Sequence, residues 1–316
     1  MKKLLTLGET MACLVPESGG PLRYVTRYSL TMAGAESNLA IDAAKLGIPC
    51  RWYSRLGNDE FGAMIRNRIR GEGVDCETVR FDSSRPTGLM CKQTGCGESK
   101  VFYYRAGSAA SAMDETDITE NLWQDVGLLH LTGITPVLSL SCRRAVKKAV
   151  SEAQRRNIPI SFDPNIRRKL WAGEDYTQLL KELSLSSTLL LLGKEEASIL
   201  FGTESPEKMA KEAFSGGTVQ AVALKDGANG GIVIPRGQRA IRIAAWPCHC
   251  IEPIGAGDAY NAGFLAGWMQ GRSWEICGRM GAIAGAMATE TPGDIEGTPT
   301  QEQMNNALNG ADEIYR

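Results

Sequence analysis

The sequence predicts an α/β protein whose central sheet is mostly parallel, built as one large domain with a small appendage. Between residues 128 and 201, apolar strand-like runs alternate with helical patterns, which is typical of right-handed βαβ units. Two polar motifs directly follow apolar strands in this region, at the strand ends where α/β sheets bind ligands. A predicted hairpin near residues 89–105 lies outside the alternation and indicates the appendage.

The composition excludes several classes of partner. The 316 residues include 22% charged side chains and carry a formal net charge of −1, so we expect no broad basic surface for nucleic acid or an anionic membrane. No apolar run approaches the length of a membrane span, and the N-terminal apolar run is too short for a signal peptide. We therefore expect a cytoplasmic protein with a small-molecule partner.

The nine cysteines and two histidines limit the chemistry that the site can use. The cysteines form no Cys-x-x-Cys pair, which is typical of reduced thiols in a cytosolic protein. Their one cluster, Cys248-His249-Cys250, has no further ligands at a useful spacing and predicts no metal site. Because histidines are so few, carboxylates are expected to perform any acid–base catalysis.

The first part of the chain predicts short strands and two helices. Ser37 or Asn38 is the expected N-cap of a helix over residues 39–46, which Gly47 ends. The other elements predicted here are strands over residues 4–7 and 51–55, two short strands between residues 14 and 32, and a helix from residue 57 to residue 71.

Residues 89–92 and 101–105 predict a hairpin that is suited to act as a lid, with its turn at residues 95–99. The period of two in a strand puts Tyr103 and Arg105 on one face and their neighbours on the other. If the first face covers a site, a phenol hydroxyl and a guanidinium reach it together. The alternative is an exposed sheet face with a solvated arginine.

Polar motifs follow the predicted strands of the alternating region. Residues 163–167, Asp-Pro-Asn-Ile-Arg, follow a buried strand that Pro164 ends, so Asn165 and Arg167 are expected in the crevice. Gly193-Lys194-Glu195-Glu196 starts a helix, although acidic residues there also simply complement the helix dipole. The predicted strands span residues 128–131, 158–162, 188–192, 219–224 and 231–235, and the helices span residues 139–156, 176–185, 195–201, 274–289 and 300–307.

Residues 252–258, Glu-Pro-Ile-Gly-Ala-Gly-Asp, run into a small-residue helix that is predicted to begin near Ala259. Gly255 and Gly257 lack a Cβ, which lets a ligand approach the backbone amides. A helix N-terminus attracts anions through its unpaired N–H groups and its dipole. With Asp258 in the same turn, the pattern indicates phosphoryl transfer, and the alternative is a tightly packed strand-to-helix turn.

Gly255-Ala256-Gly257-Asp258 resembles the C-terminal signature of the ribokinase-like (PfkB) carbohydrate kinases, and residues 33–38 resemble the N-terminal sugar-binding signature of that family. The motifs occur in the family's order across nearly the whole chain. The resemblance implies a single ribokinase-like domain over residues 1–316, with three α/β/α layers and a mostly parallel central sheet. It also implies a small β lid, formed by about residues 10–32 and 86–106.

The resemblance implies an ATP-dependent kinase that uses Mg²⁺ and phosphorylates the primary hydroxyl of a sugar or sugar acid. Residues 102–111 and 162–171 are most similar to 2-keto-3-deoxygluconate kinases, whose substrate carries a carboxylate. Arg105 and Arg167 are the candidates for binding that carboxylate. The alternatives are a fructokinase- or ribokinase-type kinase of a neutral sugar and, from another class, a non-catalytic sugar- or nucleotide-binding regulator.

The resemblance also implies a role for each site residue, but it identifies no metal ligand. The catalytic candidates are the base Asp258 and the amides of Gly255, Ala256 and Gly257. The substrate-binding candidates are Gly34, Asn38, Tyr103, Arg105, Arg167 and Asp294. The ATP-binding candidates are Asn165, Glu196, Lys225, Gly227 and Gly230.

Two departures from the family pattern bear on cofactors. Many relatives build a monovalent-cation site beside the glycine turn, where this chain has Glu252 in place of the usual Asp, so a monovalent cation is left open as a cofactor. Gly193 stands where the family often has an Asn.

The exposed edge of the lid hairpin suggests a homo-oligomer in which a second subunit covers that edge.

Overall fold

The structure is a computed structural model that describes residues 1–93 and 100–310. The strands among these residues are β1 (Lys3–Leu7), β2 (Met11–Pro16), β3 (Tyr28–Ala33), β4 (Cys50–Tyr53), β5 (Arg55–Gly57), β6 (Arg80–Asp82), β7 (Leu89–Gln93), β8 (Lys100–Tyr104), β9 (Val126–Thr132), β10 (Ile160–Asp163), β11 (Leu189–Gly193), β12 (Ala221–Lys225), β13 (Gly231–Pro235) and β14 (Ile241–Ile243). The helices are α1 (Ala35–Lys45), α2 (Glu60–Gly71), α3 (Thr135–Leu138), α4 (Leu140–Arg155), α5 (Thr177–Leu185), α6 (Lys194–Phe201), α7 (Pro206–Ala213), α8 (Ala256–Met269), α9 (Trp274–Ala288) and α10 (Gln301–Asn309).

The main sheet has the strand order β14-β13-β12-β11-β10-β9-β1-β4 within the described residues. Neighbouring strands from β12 to β4 are parallel, whereas β13 and β14 run antiparallel at one edge. This arrangement confirms the mostly parallel sheet that the alternation of strands and helices predicts.

Both faces of the main sheet are buried, which explains why its strands are nearly continuous apolar runs. In β11, Leu189 and Leu191 belong to a core that includes side chains of α1, α8 and α9. Leu190 and Leu192 point the other way, into a second core with side chains of α4, α5 and α6. The two cores separate three layers, as the resemblance to the ribokinase-like family implies.

Helices α8 and α9 pack against each other through small residues. A Cβ on Gly263 of α8 would lie 2.4 Å from the carbonyl oxygen of Met280, and one on Gly281 would lie 3.0 Å from Tyr260. Glycine therefore permits a backbone approach that any larger residue would prevent. This packing holds the N-terminus of α8 at the edge of the main sheet.

A second sheet has the order β3-β2-β7-β8. Strands β7 and β8 form the predicted antiparallel pair, while the expected turn at residues 95–99 lies outside the described residues. One face buries a small cluster that contains Met11, Cys13, Ala33 and Met90. Large apolar side chains elsewhere in the sheet are exposed, including Leu30, Phe102 and Tyr104.

The structure corrects several element boundaries. Helix α1 begins at Ala35 with Gly34 as its N-cap, so neither Ser37 nor Asn38 is the cap. The Ser37 hydroxyl instead donates to the Gly34 carbonyl and accepts from Thr10. Helix α8 begins three residues before the predicted Ala259. These starts were misjudged because glycine and alanine in a first turn give little local signal.

Four of the elements named above have no counterpart in the sequence predictions, namely strands β6 and β14 and helices α3 and α7. Helix α7 is short and amphipathic, with a serine N-cap and a proline in its first turn, which are recognisable start signals. Strand β14 has three residues at the edge of the main sheet, and so short a segment carries almost no periodicity. Of the helices described above, none combines the length and apolar character needed to cross a membrane.

Candidate active site

The N-terminus of α8 forms one wall of the site. Gly255 is the N-cap residue, with a φ of +85°, and a Cβ there would lie 2.4 Å from the carbonyl oxygen of Asp294. Left-handed backbone and close contact both select glycine at this position. Asp258 consequently lies in the first turn of α8 rather than before the helix.

The amides of this first turn are only partly free. The N–H of Ala256 donates to the Pro253 carbonyl at 3.4 Å. Across the described part of the chain, the N–H groups of Gly257 and Asp258 have no protein acceptor. These two groups and the positive end of the helix dipole make the turn suitable for binding an anion.

The Asp258 carboxylate lies between α8 and α1. Asn38 Nδ2 donates to Asp258 Oδ2 at 3.0 Å. The pKa of Asp258 is raised to about 7, mainly by burial. The Asp163 and Asp294 carboxylates raise this pKa further, whereas the Asn38 hydrogen bond and the charge of Arg167 lower it. A carboxylate that titrates near neutral pH beside an anion-binding turn is suited to act as a general base.

A polar cavity of about 310 Å³ opens in front of Asp258. It lies where β10, β11 and β12 end, which is the edge at which parallel sheets bind ligands. The predicted site residues in its wall are Asn165, Arg167, Glu196, Lys225, Gly255, Gly257 and Asp258. The fold thus brings together catalytic, substrate-binding and ATP-binding candidates from four separate stretches of sequence.

Lys225 lines this cavity and is held by an ionic network. Its ammonium donates to Asp163 Oδ2 at 2.9 Å and to Asn261 Oδ1 at 3.2 Å, and Asp163 Oδ1 accepts the Asn165 N–H at 2.9 Å. Burial opposes the charge on Lys225, but Asp163 and then Glu196 outweigh it and raise its pKa. Lys225 therefore stays cationic and is fixed in place.

Glu196 connects two strand-end loops. Its Oε2 accepts the Gly193 N–H at 2.7 Å, and its Oε1 accepts the Ile166 N–H at 2.8 Å. Burial, followed by the Asp163 carboxylate, raises the pKa of Glu196. Glu196 thus caps α6 through the backbone N–H of Gly193 and ties that helix to the loop after β10.

The side chains that line the polar cavity supply few oxygen ligands for Mg²⁺. Mg²⁺ usually binds through one or two carboxylates, several waters and nucleotide phosphates. Asp163 and Glu196 place carboxylates in the cavity wall, but residues 1–93 and 100–310 contain no group of three or more acidic, histidine or cysteine side chains suited to a metal. These residues fit an ion held mainly by phosphates and water.

An apolar cavity of about 480 Å³ adjoins the polar one and shares Gly193, Lys225 and Gly257 with it. Gly227 and Gly230 line it with positive φ values. A Cβ on Gly230 would lie 2.1 Å from a backbone oxygen of β14, so the turn between β12 and β13 requires glycine. The other lining residues are mostly small and apolar, with Trp246 and Tyr260 among them.

Gly34 and Asn38 lie at the start of α1, and neither residue lines the polar or the apolar cavity. A Cβ on Gly34 would lie 2.5 Å from the carbonyl oxygen of Glu9. Asn38 is 3% exposed, and its Oδ1 has no hydrogen-bond partner among the described residues. Because an unpaired buried acceptor is unfavourable, this oxygen is well suited to accept a hydrogen bond from a hydroxyl of a bound sugar.

Arg105 is less available to bind a substrate carboxylate than the sequence suggests. Arg105 Nε donates to Glu9 Oε2 at 2.7 Å, and the Ser108 hydroxyl donates to Glu9 Oε1 at 2.5 Å. The guanidinium also lies over the Tyr103 ring, 5.5 Å from its centroid, as a shared face requires. Neither Tyr103 nor Arg105 lines the polar cavity, and buried Glu9 already balances the charge of Arg105.

Arg167 differs from Arg105 in this respect. It lines the polar cavity, is exposed and has no ion-pair partner within the described residues. Its charge lowers the pKa of Asp258, which is otherwise raised by burial. Among the described residues, Arg167 is therefore a cation without an ion-pair partner whose charge acts on Asp258.

Asp294 is buried and accepts a hydrogen bond from Lys92 of β7 at 2.6 Å. Sequence reasoning missed Lys92, and it also missed Asp163, Asn261 and Glu9 as partners of the site. Asn261 lies one helical turn after Asp258, and Asp163 ends a buried strand, so both had a usable signal. Lys92 had none, because its partners are more than 150 residues away in sequence.

Comparison with known proteins places this geometry in a family. Residues 1–301 match the model of the pfkB family carbohydrate kinases. The 2-dehydro-3-deoxygluconokinase of Thermoproteus tenax is 34% identical over 98% of this chain and 94% of its own length. The enzyme of the same name from Bacillus subtilis is 31% identical over 99% of this chain and 97% of its own length.

A solved structure from E. coli, described as a ribokinase II in complex with ATP and Mg²⁺, superposes with a TM-score of 0.91 at 23% identity. It covers 98% of this chain and 100% of its own. At that identity the likeness supports the fold, while the family match spans most of the chain. The chain belongs to the pfkB family of carbohydrate kinases, as its motifs predict.

Proposed function

We propose that this carbohydrate kinase transfers the γ-phosphoryl group of ATP to the primary hydroxyl of a 2-keto-3-deoxy sugar acid, with 2-keto-3-deoxygluconate as the preferred substrate. The observation that carries the proposal is Arg167, an exposed cation in the same cavity as Asp258. A substrate with a carboxylate at one end and a hydroxyl at the other engages both residues. Two relatives with 31% and 34% identity carry the corresponding enzyme name.

In the proposed mechanism, Asp258 accepts the proton of the primary hydroxyl. The hydroxyl oxygen forms a bond to the γ-phosphorus, and the bond from that phosphorus to the β,γ-bridging oxygen breaks, which releases ADP. The pKa of Asp258 near 7 keeps a large fraction of the base ionised at neutral pH. Asn38 donates to the carboxylate and thereby orients it.

Hydrogen-bond donors and a cation in fixed positions would stabilise the negative charge on the transferring phosphoryl group. The free N–H groups of Gly257 and Asp258 would donate to the phosphoryl oxygens, and such preorganised donors stabilise developing charge. Lys225, held by Asp163, adds a positive charge that need not move. When bound, Mg²⁺ would neutralise phosphate charge, and Asp163 and Glu196 are the carboxylates of the cavity wall that would hold it.

The nucleotide is proposed to occupy the two adjoining cavities. Its base would lie in the apolar cavity beside Gly227 and Gly230, and its phosphates in the polar cavity beside Asn165, Glu196 and Lys225. The acid would bind between Asp258 and Arg167, with its carboxylate in the part of the polar cavity that Arg167 lines and its remaining groups beside Gly34, Asn38 and the second sheet.

We further propose that residues 1–316 act as one domain, with about residues 10–32 and 86–106 as a lid that excludes water from the transfer. The exposed apolar side chains of that sheet, Phe102 and Tyr104 among them, favour a homo-oligomer formed through the lid. Light scattering would measure its subunit number. The cysteine pattern described above favours the cytoplasm.

The function is tested by measuring ADP release with a panel of acceptors that contains 2-keto-3-deoxygluconate, fructose and ribose. We expect the acid to have the highest kcat/KM. Higher kcat/KM for fructose or ribose would replace the proposal with a kinase of neutral sugars. No ADP release with any acceptor, despite nucleotide binding, would favour the non-catalytic regulator.

Arg167→Ala tests the carboxylate contact itself. A hydrogen bond to a charged group contributes roughly 1.5–3 kcal/mol, which corresponds to about ten- to a hundredfold in affinity. We expect KM for the acid to rise by that factor while KM for ATP stays nearly constant. Arg168→Ala, at the exposed neighbouring arginine, is the matched control. A loss confined to kcat would assign Arg167 to the transferring phosphate instead.

A further inference from the structure

A buried lysine connects the second sheet to the glycine turn. Lys92, in β7, is 3% exposed. Its ammonium lies 2.6 Å from Asp294 Oδ1 and 3.2 Å from Glu252 Oε1. The thiol of Cys13 on neighbouring β2 is neutral, because burial raises its pKa to about 12. The ammonium is thus enclosed with two carboxylates and no competing charge from that thiol.

Both carboxylates are joined to the turn that begins α8. Glu252 is the first residue of the turn, and its Oε2 accepts the Gly293 N–H at 3.1 Å. The backbone N–H of Glu252 donates to the Thr289 carbonyl at 3.1 Å. The carbonyl oxygen of Asp294 lies against Gly255, where a Cβ would come within 2.4 Å of it. The position of Lys92 is therefore transmitted to Gly255 through direct contacts.

We propose that Lys92 is a positioning residue whose ammonium serves as the monovalent cation of the glycine turn, so that the enzyme needs no added K⁺. The ammonium neutralises Glu252 and Asp294 and holds the two segments that flank Gly255 at a fixed separation. Because Lys92 belongs to the second sheet, the same contact ties the placement of that sheet over the substrate to the geometry of the amides on α8.

The charge of Lys92 is essential to this role. Two buried carboxylates that lose their shared cation repel each other and either take up a proton or move apart. Burial alone disfavours the ammonium, but Asp294 and Glu252 outweigh this effect and raise the pKa of Lys92. A neutral side chain of similar length fills the same space without supplying the charge, which separates packing from electrostatics.

The test uses Lys92→Met, Lys92→Ala and the control Lys100→Met. Lys100 lies on β8 of the same sheet and is exposed. Turnover is measured at constant ionic strength with chlorides of tetramethylammonium, sodium, potassium, ammonium or ethylammonium. The inference rests on the proposed kinase reaction, so the assay uses any acceptor from the panel that the wild type phosphorylates. It then does not depend on which sugar is preferred.

We expect the wild type and Lys100→Met to vary less than twofold among the salts. Lys92→Met should lose at least tenfold in kcat with every salt, with a smaller change in KM for ATP. Lys92→Ala should lose as much in tetramethylammonium and recover at least fivefold with potassium, ammonium or ethylammonium, which can enter the space left by the side chain. Far-UV circular dichroism checks that each variant is folded.

Several results would overturn the proposal. A wild type that potassium activates tenfold over tetramethylammonium contains a separate cation site. Normal kcat in Lys92→Met would show that the charge is unnecessary. Equal losses in Lys92→Ala with all five salts would reduce Lys92 to a packing residue. If the wild type phosphorylated no acceptor, the proposed function would fail first, before any variant is compared.

Discussion

At the scale of single residues, the pKa of Asp258 links catalysis to stability. Burial raises it from 3.8 to about 7, so the folded protein binds this proton more tightly than the unfolded chain does. The resulting stabilisation is complete below about pH 4 and is lost as the pH rises through 7. At pH 8 the enzyme has its base ready for reaction, but it also keeps a buried charge that disfavours folding.

Asp258→Asn is expected to lower turnover by about 10²–10⁴-fold, the usual contribution of a general base, and to leave nucleotide binding intact. By the linkage above, the variant should melt at a higher temperature than the wild type at pH 8, and the difference should vanish near pH 4. Steady-state kinetics and thermal melting at both pH values measure this. The control is Asp175→Asn at an exposed loop position. Near-normal turnover would remove Asp258 from the mechanism.

The pH profile tests the same carboxylate without removing it. Only ionised Asp258 can accept the hydroxyl proton, so kcat/KM should rise with pH through about 7 and then level off. Arg167 lowers this pKa, so Arg167→Ala should move the rise to higher pH, while Arg168→Ala should not. A profile that is flat from pH 5 to pH 9 would contradict the role of Asp258 as base.

At the scale of elements, the sequence predicts the strands and helices whose residue pattern is visible within a short segment. The apolar runs of the main sheet and the residue types of the glycine turn identify strands and a helix start without tertiary knowledge. The ion pair of Arg105 with Glu9 could not be predicted, because Arg105 lies just after β8 and Glu9 lies 96 residues earlier, between β1 and β2. The expectation that Arg105 meets the substrate as a free charge consequently needs revision.

The second sheet should show a residue-specific pattern. Tyr103→Ala and Arg105→Ala are expected to raise KM for the acid, because we propose that the acid lies beside the second sheet, where Arg105 lies over the Tyr103 ring and pairs with Glu9. Tyr104→Ala should change KM and the melting temperature little, because Tyr104 is 65% exposed. Arg105→Ala should also lower the melting temperature, because it leaves Glu9 buried without its cation.

Arg105→Lys is the control that keeps a charge at this position, and it should recover part of the lost stability. Kinetics on the acid and thermal melting separate the two effects. If Tyr104→Ala alone raised KM while the melting temperature held, the face of β8 that serves the site would be the opposite one.

At the scale of the whole molecule, the site exists because distant segments meet at one edge of the main sheet. Asn38 and Asp258 are 220 residues apart in sequence, and Lys92 and Asp294 are 202 apart. The resemblance to a family predicted that such segments converge, since their motifs occur in the family's order. It could not predict which polar atoms pair, because each pairing depends on side-chain packing between separate layers.

The convergence predicts that the two substrates protect different parts of the molecule from amide hydrogen exchange. The sugar acid should slow exchange in β7 and β8, because the second sheet lies on its side of Asp258. A non-hydrolysable ATP analogue should slow exchange in β12 and β13, whose turn lines the apolar cavity. At a ligand concentration of 100 Kd, an opening that releases the ligand is suppressed about a hundredfold.

Helix α4, which packs on the face of the sheet away from α8, is the internal control. If the ATP analogue alone protected β7 and β8 as fully as the acid does, the second sheet would respond to nucleotide, and its assignment to the acid side of the site would be wrong.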